Sequence, residues 1–348
     1  MNYKVLAHTD LELSNLCLGG GQFGAKLNRE QAFGILDAYV RAGGNFIDTA
    51  NVYCRWIPGA ENSSEKILGE WLRSRGVQKQ VVIATKGGHY DLAHPERNRV
   101  NREEVKKDLE ESLRSLGLET IDFYWLHRDD PEKPVEEIMD LLEGFRKEGK
   151  IRYYGISNYS PERIRQAKTY LESRGVPGPW AVSNQWSLAV LNSPEERKAD
   201  PTLAAFSAEE FAWHQKTGVP VIPYSSTAMG FFEKLKRAGV CVQNGQLTDP
   251  GKAEEMLPPS VKASYWIEQN LKIYEKLLDI QKETGHSLQA LSAAYLLHQP
   301  FQVFPVGSAR DPEQLVGFLE ADEVTLEKAW VSELSELWKA PAGSGQGV

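Results

Sequence analysis

The 348-residue chain is poor in cysteine and has no long apolar segment. Its three cysteines lie far apart, without the spacing of metal ligands, which favours a reduced cytoplasmic protein; they are Cys17, Cys54 and Cys241. The first residues, MNYKVLAHTDLEL, contain no apolar core of a signal peptide. No run approaches the roughly 18 apolar residues that a membrane helix needs. We therefore expect a cytoplasmic chain without a membrane segment.

The sequence also lacks an excess of positive charge. Its formal net charge is −8, which argues against a general binder of nucleic acid or anionic membranes. An anionic ligand would therefore need a local basic pocket. The seven histidines are scattered without ligand spacing, so no metal site is expected.

What the sequence does contain is an alternation of short apolar, β-rich runs with amphipathic stretches. The runs are 15–20, 46–50, 81–86, 123–127, 153–158, 182–186, 219–224 and 302–307. Helix N-cap signals follow most of them; these are Asn28, Asn62, Asn101, Ser160 and Asp311. Near-continuous apolar runs suit parallel strands that are covered on both faces.

Eight strand–helix repeats predict an α/β chain that forms one closed (β/α)₈ TIM barrel. We expect one domain over residues 1–348, with an N-terminal β-hairpin in residues 3–13 and a flexible tail at 340–348. Three long segments, 52–62, 87–100 and 226–262, each follow a strand. They should lie at the C-terminal face, where barrel enzymes build their active sites.

Chemically capable side chains stand where the predicted strands end. Asp48 and Tyr53 follow the second strand, Lys86 ends the third and His127 ends the fourth. In a closed barrel these four side chains would converge on one mouth. A nearby ammonium lowers the pKa of a phenol, a carboxylate keeps the lysine charged, and an imidazole can donate to a carbonyl oxygen. The group therefore indicates a proton donor aimed at a carbonyl.

At these residues the sequence resembles the aldo-keto reductase family. The resemblance is carried, in order, by GGNFIDTANVY at 43–53, ATKGG at 84–88, ESLRSL at 111–116, IDFYWLH at 121–127, GKIRYYGISN at 149–158, SNQ at 183–185, PYS at 223–225 and GSARDPEQL at 307–315. Eight motifs in register, between about residues 11 and 320, make the resemblance specific.

The resemblance implies a reversible NADP(H)-dependent reduction of an aldehyde or ketone to an alcohol. Tyr53 would be the general acid, tuned by Lys86 and Asp48, and His127 would orient the carbonyl. Cofactor contacts are implied for Gly20, Gly21, Ser157, Asn158, Gln185, Tyr224, Ser225, Gly307, Ser308, Arg310 and Gln314. Arg310 would bind the 2′-phosphate, because an arginine suits a phosphate better than a bare ribose, although NAD(H) is a possible second cofactor.

The substrate would be a small carbonyl compound or a sugar-like molecule. Trp56, Trp125 and Trp186 could line an aromatic pocket, and Trp56 is the candidate substrate contact; packing inside the barrel is the alternative for at least one of them. The segment 226–262 is expected to cover the cofactor as a mobile lid, with a solvated helix face as the alternative. It carries a basic cluster of Lys234, Lys236 and Arg237.

A glycine pattern in the first repeat offers a competing interpretation. Gly19 to Gly24 fit G-x-G-x-x-G after a strand, and Asp48 follows about where a Rossmann fold places its ribose-binding acid. The N-cap signal at Asn28 comes after the glycines instead of among them, and the motif around Asp48 continues to Tyr53. We therefore interpret the glycines as room for the backbone to approach nicotinamide and substrate.

The sequence also departs from the family. The loop 54–60 after Tyr53 is longer than usual, VGFL at 316–319 replaces the common Glu-Asn, and SSTAMG at 225–230 replaces the usual Ser-Pro-Leu. Two other functions stay open. One is a non-catalytic NADP(H)-binding subunit of the same fold, and the other is a Schiff-base aldolase that uses Lys86, which an adjacent Asp48 would oppose.

Overall fold

The computed structural model describes residues 1–192, 200 and 202–340. The strands are β1 (Tyr3–Val5), β2 (Glu12–Ser14), β3 (Cys17–Gly19), β4 (Phe46–Asp48), β5 (Val82–Gly87), β6 (Ile121–Leu126), β7 (Ile151–Ser157), β8 (Val182–Ser183), β9 (Cys241–Gln243), β10 (Gln246–Asp249) and β11 (Val306–Gly307). The tail that we expect to be flexible lies, from residue 341 onward, outside the described residues.

From β3 to β8 the α-helices alternate with the parallel strands. They are α1 (Arg29–Arg41), α2 (Ser63–Arg75), α3 (Arg102–Leu116), α4 (Val135–Lys147), α5 (Pro161–Ser173), α6 (Ala208–Thr217), α7 (Phe231–Arg237), α8 (Ala253–Met256), α9 (Pro259–Tyr265), α10 (Glu268–Thr284), α11 (Leu288–Leu297), α12 (Pro312–Leu319) and α13 (Lys328–Lys339). Short 3₁₀ turns occupy Ala228–Gly230 and Glu320–Asp322.

The parallel strands form a curled sheet in the order β11-β3-β4-β5-β6-β7-β8. Isolated parallel bridges from Val221 to Val182 and to Val303 span the gap between β8 and β11. The predicted (β/α)₈ barrel is confirmed, but its seventh run makes single bridges instead of a ladder. Pro220 and Pro223 explain this difference, because proline has no amide hydrogen to donate to a neighbouring strand.

The predicted N-terminal hairpin is also present. β1 pairs antiparallel with β2, with Tyr3 opposite Ser14. The buried side chains of Leu6, Leu11 and Leu13 belong to the core that surrounds the barrel strands. This packing joins the hairpin to the barrel.

The predicted N-caps mostly form as expected. The side chains of Asn28, Asn101, Ser160 and Asp311 each accept a hydrogen bond from the amide three residues later. Asn62 differs: it precedes α2 in the left-handed region, with φ of 56°, and its side chain makes no cap hydrogen bond. Its amide group instead donates to Ser115 Oγ at 3.1 Å, which ties α2 to α3.

The long segment 226–262 is a structured excursion. It contains a 3₁₀ turn, α7, the hairpin β9–β10, α8 and α9. Phe231, Phe232 and Leu235 on α7 are buried in one core cluster with Leu257 and Val261. The excursion is therefore packed onto the barrel through its own apolar face, and its motion as a lid stays a prediction.

Candidate active site

Adjacent strands bring the first three candidate residues together. Asp48 ends β4 and Lys86 lies near the end of β5, and both side chains are buried. The Lys86 ammonium contacts the Asp48 carboxylate directly. It also donates to the Thr49 carbonyl oxygen at 2.8 Å and to the Tyr53 hydroxyl at 3.3 Å. Lys86 thus joins the carboxylate to the phenol.

The charges in this group depend on a balance between burial and pairing. Burial alone lowers the pKa of Lys86, but Asp48 and Tyr53 together hold that pKa above its ordinary value, so the lysine is charged. Burial raises the pKa of the Asp48 carboxyl, and the Lys86 ammonium opposes this rise. A charged lysine between two acidic groups stabilises the negative charge on either of them.

Tyr53 shows the same competition with a different result. Burial raises its pKa above the ordinary value, and Lys86 only partly offsets that rise. The lowering that the sequence predicts from the ammonium is present but is the smaller effect. Tyr53 therefore holds its proton at neutral pH.

His127 directly follows β6, and its ring lies near that of Tyr53. The centroids of the two rings are 6.1 Å apart. Burial, followed by the positive charge of Arg128, holds the pKa of His127 well below its ordinary value. The imidazole is therefore neutral. Its buried Nδ1 atom has no hydrogen-bond partner among the described residues.

The predicted nicotinamide contacts surround the same mouth. Asn158 has a φ of 62° and donates from its side chain to the His127 carbonyl oxygen at 3.1 Å. Its Oδ1 atom accepts from the Tyr224 hydroxyl at 2.7 Å. Ser157 donates to the Ser183 carbonyl oxygen at 2.7 Å, and the Gln185 amide lies 3.4 Å from the Tyr265 hydroxyl. Ser157, Asn158 and Tyr224 line one cavity with Tyr53, Lys86 and His127.

A buried polar network supports Asn158. The Asn184 side chain accepts from the Tyr159 amide at 3.2 Å and donates to the Tyr159 carbonyl oxygen at 2.8 Å. It also donates to both carboxylate oxygens of Glu210, at 3.0 and 3.1 Å. Asn184 stands at a strand end in the sequence, but Glu210 lies inside α6 and nothing in the sequence pattern points to it. The network holds the backbone next to Asn158 in place.

The predicted glycine contacts lie close to the catalytic group. The Gly20 amide donates to the Asp48 carbonyl oxygen at 2.7 Å. A Cβ atom on Gly21 would lie 3.6 Å from the Tyr53 ring. The helix that follows begins at Arg29, well after the glycines. The barrel therefore excludes the Rossmann interpretation of this motif.

A second cavity, of about 330 Å³, lies at the predicted phosphate end. Its lining includes Lys234, Arg237, Arg310 and Gln314. Gln314 Oε1 accepts from the Arg310 amide at 2.9 Å and from its Nε at 3.3 Å. Burial, and then the like charges of Arg310 and Arg237, lower the pKa of Lys234. These two arginines thus disfavour the charged form of Lys234. Glu233, Asp311 and Glu313 line the same cavity, and Glu233 pairs with Arg237 at 3.4 Å. Lys236 lies apart and contacts Gln281.

The remaining predicted cofactor residues are Ser225, Gly307 and Ser308. Gly307 ends β11, where a Cβ atom would meet the Phe318 ring at 2.5 Å, so only glycine fits. Ser308 donates to the Gly19 carbonyl oxygen at 3.3 Å. Ser225 has a φ of 54°, which is the left-handed region.

The three tryptophans have different environments. Trp56 lies at the rim of the cavity that Tyr53, Lys86 and His127 line (the catalytic cavity). It is 54% exposed, and its ring is 6.4 Å from that of Tyr53. Trp125 is buried against Phe123, and Trp186 stacks on Phe206 with ring centroids 4.1 Å apart. Of the three, only Trp56 lines the catalytic cavity.

Sequence reasoning missed three polar residues that line this cavity, namely His89, Tyr90 and Arg128. His89 and Tyr90 lie in the segment 87–100, which the sequence marks only as a long loop. Arg128 directly follows His127, and its side chain is buried. Its Nη2 atom pairs with the Asp200 carboxylate at 3.3 Å. This partner is 72 residues away in the chain, so the sequence shows no sign of the pairing.

Comparison with known proteins identifies the family. A family model described as the aldo/keto reductase family matches residues 15–339. The chain belongs to the aldo/keto reductase family. A putative aryl-alcohol dehydrogenase of Saccharomyces cerevisiae is 30% identical, over 96% of this chain and 86% of its own length. An NADP(+) aryl-alcohol dehydrogenase of Phanerodontia chrysosporium is 26% identical, over 91% of this chain and 80% of its own length.

A solved structure has the same fold. It is a thermostable aldo-keto reductase in complex with the inhibitor epalrestat, with a TM-score of 0.68 and 21% identity, covering 97% of this chain and 100% of its own. The predictions of the family and of the barrel are thus confirmed, and the family supports an oxidoreductase. None of the helices described here combines the length and the apolar character needed to cross a membrane.

Proposed function

We propose that this aldo/keto reductase is an NADP(H)-dependent carbonyl reductase that converts an aldehyde or ketone reversibly to an alcohol. One observation carries the proposal: the Lys86 ammonium contacts both the Asp48 carboxylate and the Tyr53 hydroxyl, beside a neutral His127. This arrangement supplies a proton and disperses the charge that remains after the proton leaves. We also infer one cytoplasmic domain over residues 1–348.

Each residue has a defined task in this reaction. The Tyr53 hydroxyl donates its proton to the carbonyl oxygen, since its raised pKa keeps that proton in place at neutral pH. Lys86 stabilises the phenolate that is left, and Asp48 keeps Lys86 charged. The neutral His127 donates a hydrogen bond to the same carbonyl oxygen. In the oxidation of an alcohol the Tyr53 phenolate takes the proton back.

The residues present fit NADP(H). Lys234, Arg237 and Arg310 line one cavity, and this set of donors suits a phosphate; α12 also begins there, and helix N-termini attract anions. Ser157, Asn158 and Gln185 offer the polar groups for the carboxamide, and Tyr224 offers a ring for stacking. When bound, the reduced nicotinamide supplies the hydride for the carbonyl carbon. NAD(H) lacks the 2′-phosphate and should bind more weakly.

The aldolase alternative has a physical objection. A Schiff base requires a neutral lysine, whose nitrogen lone pair attacks the carbonyl carbon. Asp48 and Tyr53 hold Lys86 in its charged form. Borohydride trapping of Lys86 with a ketone would contradict our proposal.

The test is a screen of aldehydes and ketones with NADPH, which follows the absorbance of the reduced nicotinamide. The chain should oxidise NADPH only when a carbonyl compound is present. Tyr53→Phe should lower kcat by about a hundredfold or more, because it removes only the proton donor, while the Kd for NADPH stays within about twofold of that of the unmodified protein.

Two results would contradict the proposal. Tight NADPH binding without turnover of any carbonyl would favour the non-catalytic subunit. Retention of most turnover in Tyr53→Phe would show that another group donates the proton.

A further inference from the structure

The catalytic cavity, of about 310 Å³, has one polar wall that the proposed proton transfer does not use. This polar wall consists of His89, Tyr90 and Arg128. The cavity also has apolar lining, at Val52, Trp56, Leu92 and Leu203. An apolar substrate would need no polar wall. These groups therefore indicate that the substrate carries a polar group in addition to its carbonyl.

The hydrogen-bond partners of His89 define the form of its ring. Nδ1 lies 3.1 Å from the Tyr90 carbonyl oxygen, which can only accept, so Nδ1 carries the hydrogen. Burial, followed by the charge of Arg128, lowers the pKa of His89 to about 4, and Asp200 opposes this only in part. The ring is therefore neutral near pH 7, and Nε2 has a lone pair but no hydrogen. Since His89 lines the cavity, Nε2 is the ring nitrogen left to accept from a bound molecule.

His89 is held in place by the loop that carries it. Arg99 donates to the His89 carbonyl oxygen at 3.1 Å and pairs with Asp108 at 2.7 Å. Asp108 also accepts from the Gly88 amide at 3.0 Å. A rigid acceptor gains more from a fitting donor than a mobile one, because less conformational entropy is lost on binding.

Arg128 completes the polar wall with a guanidinium that has partners of its own. Its guanidinium donates to Thr202 Oγ1 at 2.8 Å and to the His127 carbonyl oxygen at 2.9 Å, and it pairs with Asp200. The Asp200 carboxylate offsets this charge only in part. The neutral acceptor of His89 nevertheless disfavours a carboxylate, which has no hydrogen to donate to it. An acceptor beside a hydrogen-bond donor is the arrangement that a hydroxyl group satisfies, since a hydroxyl both donates and accepts.

The polar wall is also close to the reacting atom. The ring centroids of His89 and His127 are 4.9 Å apart. In the proposed function His127 binds the carbonyl oxygen, so a group that reaches His89 must lie within one or two carbon atoms of that carbonyl.

We propose that His89 and Arg128 form a subsite for a hydroxyl group next to the reacting carbonyl, which makes hydroxyaldehydes, hydroxyketones and reducing sugars the preferred substrate class. This inference rests on the proposed function. A substrate without that hydroxyl leaves the acceptor of His89 unpaired, which costs affinity in the transition state.

The test compares hydroxyacetone with butanone, in which a methyl group replaces the hydroxyl at nearly equal size. The measured quantity is the ratio of kcat/KM for the two ketones in the unmodified protein, in His89→Phe and in His89→Gln. The hydroxyl group also changes the intrinsic reactivity of the carbonyl. This effect is the same in every variant, so it cancels when the ratios of two proteins are compared. The ratio should fall about tenfold in His89→Phe, the size expected for one hydrogen bond, and recover in part in His89→Gln, whose amide oxygen can accept.

His94→Phe is the matched control, because His94 lies on the same loop with its side chain 66% exposed. Its ratio should equal that of the unmodified protein. If His89→Phe does not fold, His89→Met supplies a second side chain without a nitrogen acceptor.

The two proposals fail in different ways. An unchanged ratio in the His89 variants, or reduction of aryl aldehydes with no turnover of hydroxyacetone, overturns the hydroxyl subsite and leaves the carbonyl reductase standing. No turnover of any carbonyl compound overturns the carbonyl reductase itself.

Discussion

At the scale of the residue, the chemistry depends on the competition around Tyr53. Burial raises its pKa, and the Lys86 ammonium lowers it by stabilising the phenolate. The lysine can act in this way because Asp48 and Tyr53 keep it charged in a buried position. Burial and the Lys86 ammonium, acting in opposite directions, therefore set how readily the phenol gives up its proton.

Lys86→Met tests this competition. Removal of the ammonium leaves the effect of burial unopposed, so the pKa of Tyr53 should rise further. Reduction needs the protonated phenol and is lost as the pH rises through that pKa, so its alkaline limb should move to higher pH. The rate should fall by roughly a hundredfold, because a weaker acid is a poorer proton donor.

The measurement is the pH dependence of kcat/KM in both directions. Alcohol oxidation needs the phenolate, so its acidic limb should also move to higher pH. Lys79→Met, at an exposed position before β5, should leave both profiles unchanged. If the pH profile does not move in Lys86→Met and the rate stays intact, Lys86 is not coupled to Tyr53.

At the scale of the element, the start of α12 positions Arg310, the residue proposed to bind the 2′-phosphate. The Asp311 side chain caps the helix by accepting from the Gln314 amide at 2.7 Å. The Gln314 side chain in turn accepts from the backbone and side chain of Arg310. The capping turn therefore holds Arg310 at the edge of the cavity that Lys234 of α7 also lines.

Arg310→Ala should weaken NADPH binding about tenfold or more, with a much smaller effect on NADH, since a charge-assisted contact to a phosphate is lost. The Kd values for both cofactors, from quenching of tryptophan fluorescence, check this. Arg41→Ala, at an exposed position that ends α1, is the control and should change neither Kd. Equal losses for NADPH and NADH would mean that Arg310 does not read the 2′-phosphate.

At the scale of the whole molecule, the segment 226–262 contributes to the cavity that is proposed to bind the cofactor phosphate. Its buried side chains pack on the barrel, while Lys234 and Arg237 line the cavity beside Arg310. Ala228, Met229 and Gly230 at its start have φ values of 48°, 54° and 73°. A few such residues can absorb a change of backbone direction, which is what a hinge requires.

We predict that NADP⁺ protects this segment. Amide hydrogen exchange across 226–262, and cleavage there by a protease, should slow when the cofactor bridges Lys234 and Arg310. The helices α4 and α5 lie away from both cavities and serve as the internal control, with exchange that does not change. Identical exchange across 226–262 with and without NADP⁺ would rule out a lid.

Much of the fold was predictable because its signals are local. The strand runs, the caps at Asn28 and Asp311 and the N-terminal hairpin each depend on residues that are neighbours in the chain. The predicted strand at 219–224 is reduced to isolated bridges, and the one at 302–307 to Val306–Gly307, since Pro220, Pro223 and Pro305 interrupt the hydrogen bonding. Those prolines were visible in the sequence, but their effect depends on which neighbour each strand meets.

The sequence by itself determined the family, the barrel and the positions of Asp48, Tyr53, Lys86 and His127 at strand ends, because short motifs encode all of these. Only the tertiary structure decided the net pKa direction at Tyr53 and the charge state of the residues around it. These depend on burial and on charges from other strands, and neither is a property of a short segment.

The tertiary structure alone also decided the polar wall of the cavity and the support behind it. The neutral ring of His89 follows from its burial beside Arg128, whose partner Asp200 comes from a distant segment. Glu210 supports the site through Asn184, although it lies in the interior of a helix. Contacts between segments far apart in the chain create these features. No sequence pattern marks them, since these residue types are also common on solvated protein surfaces.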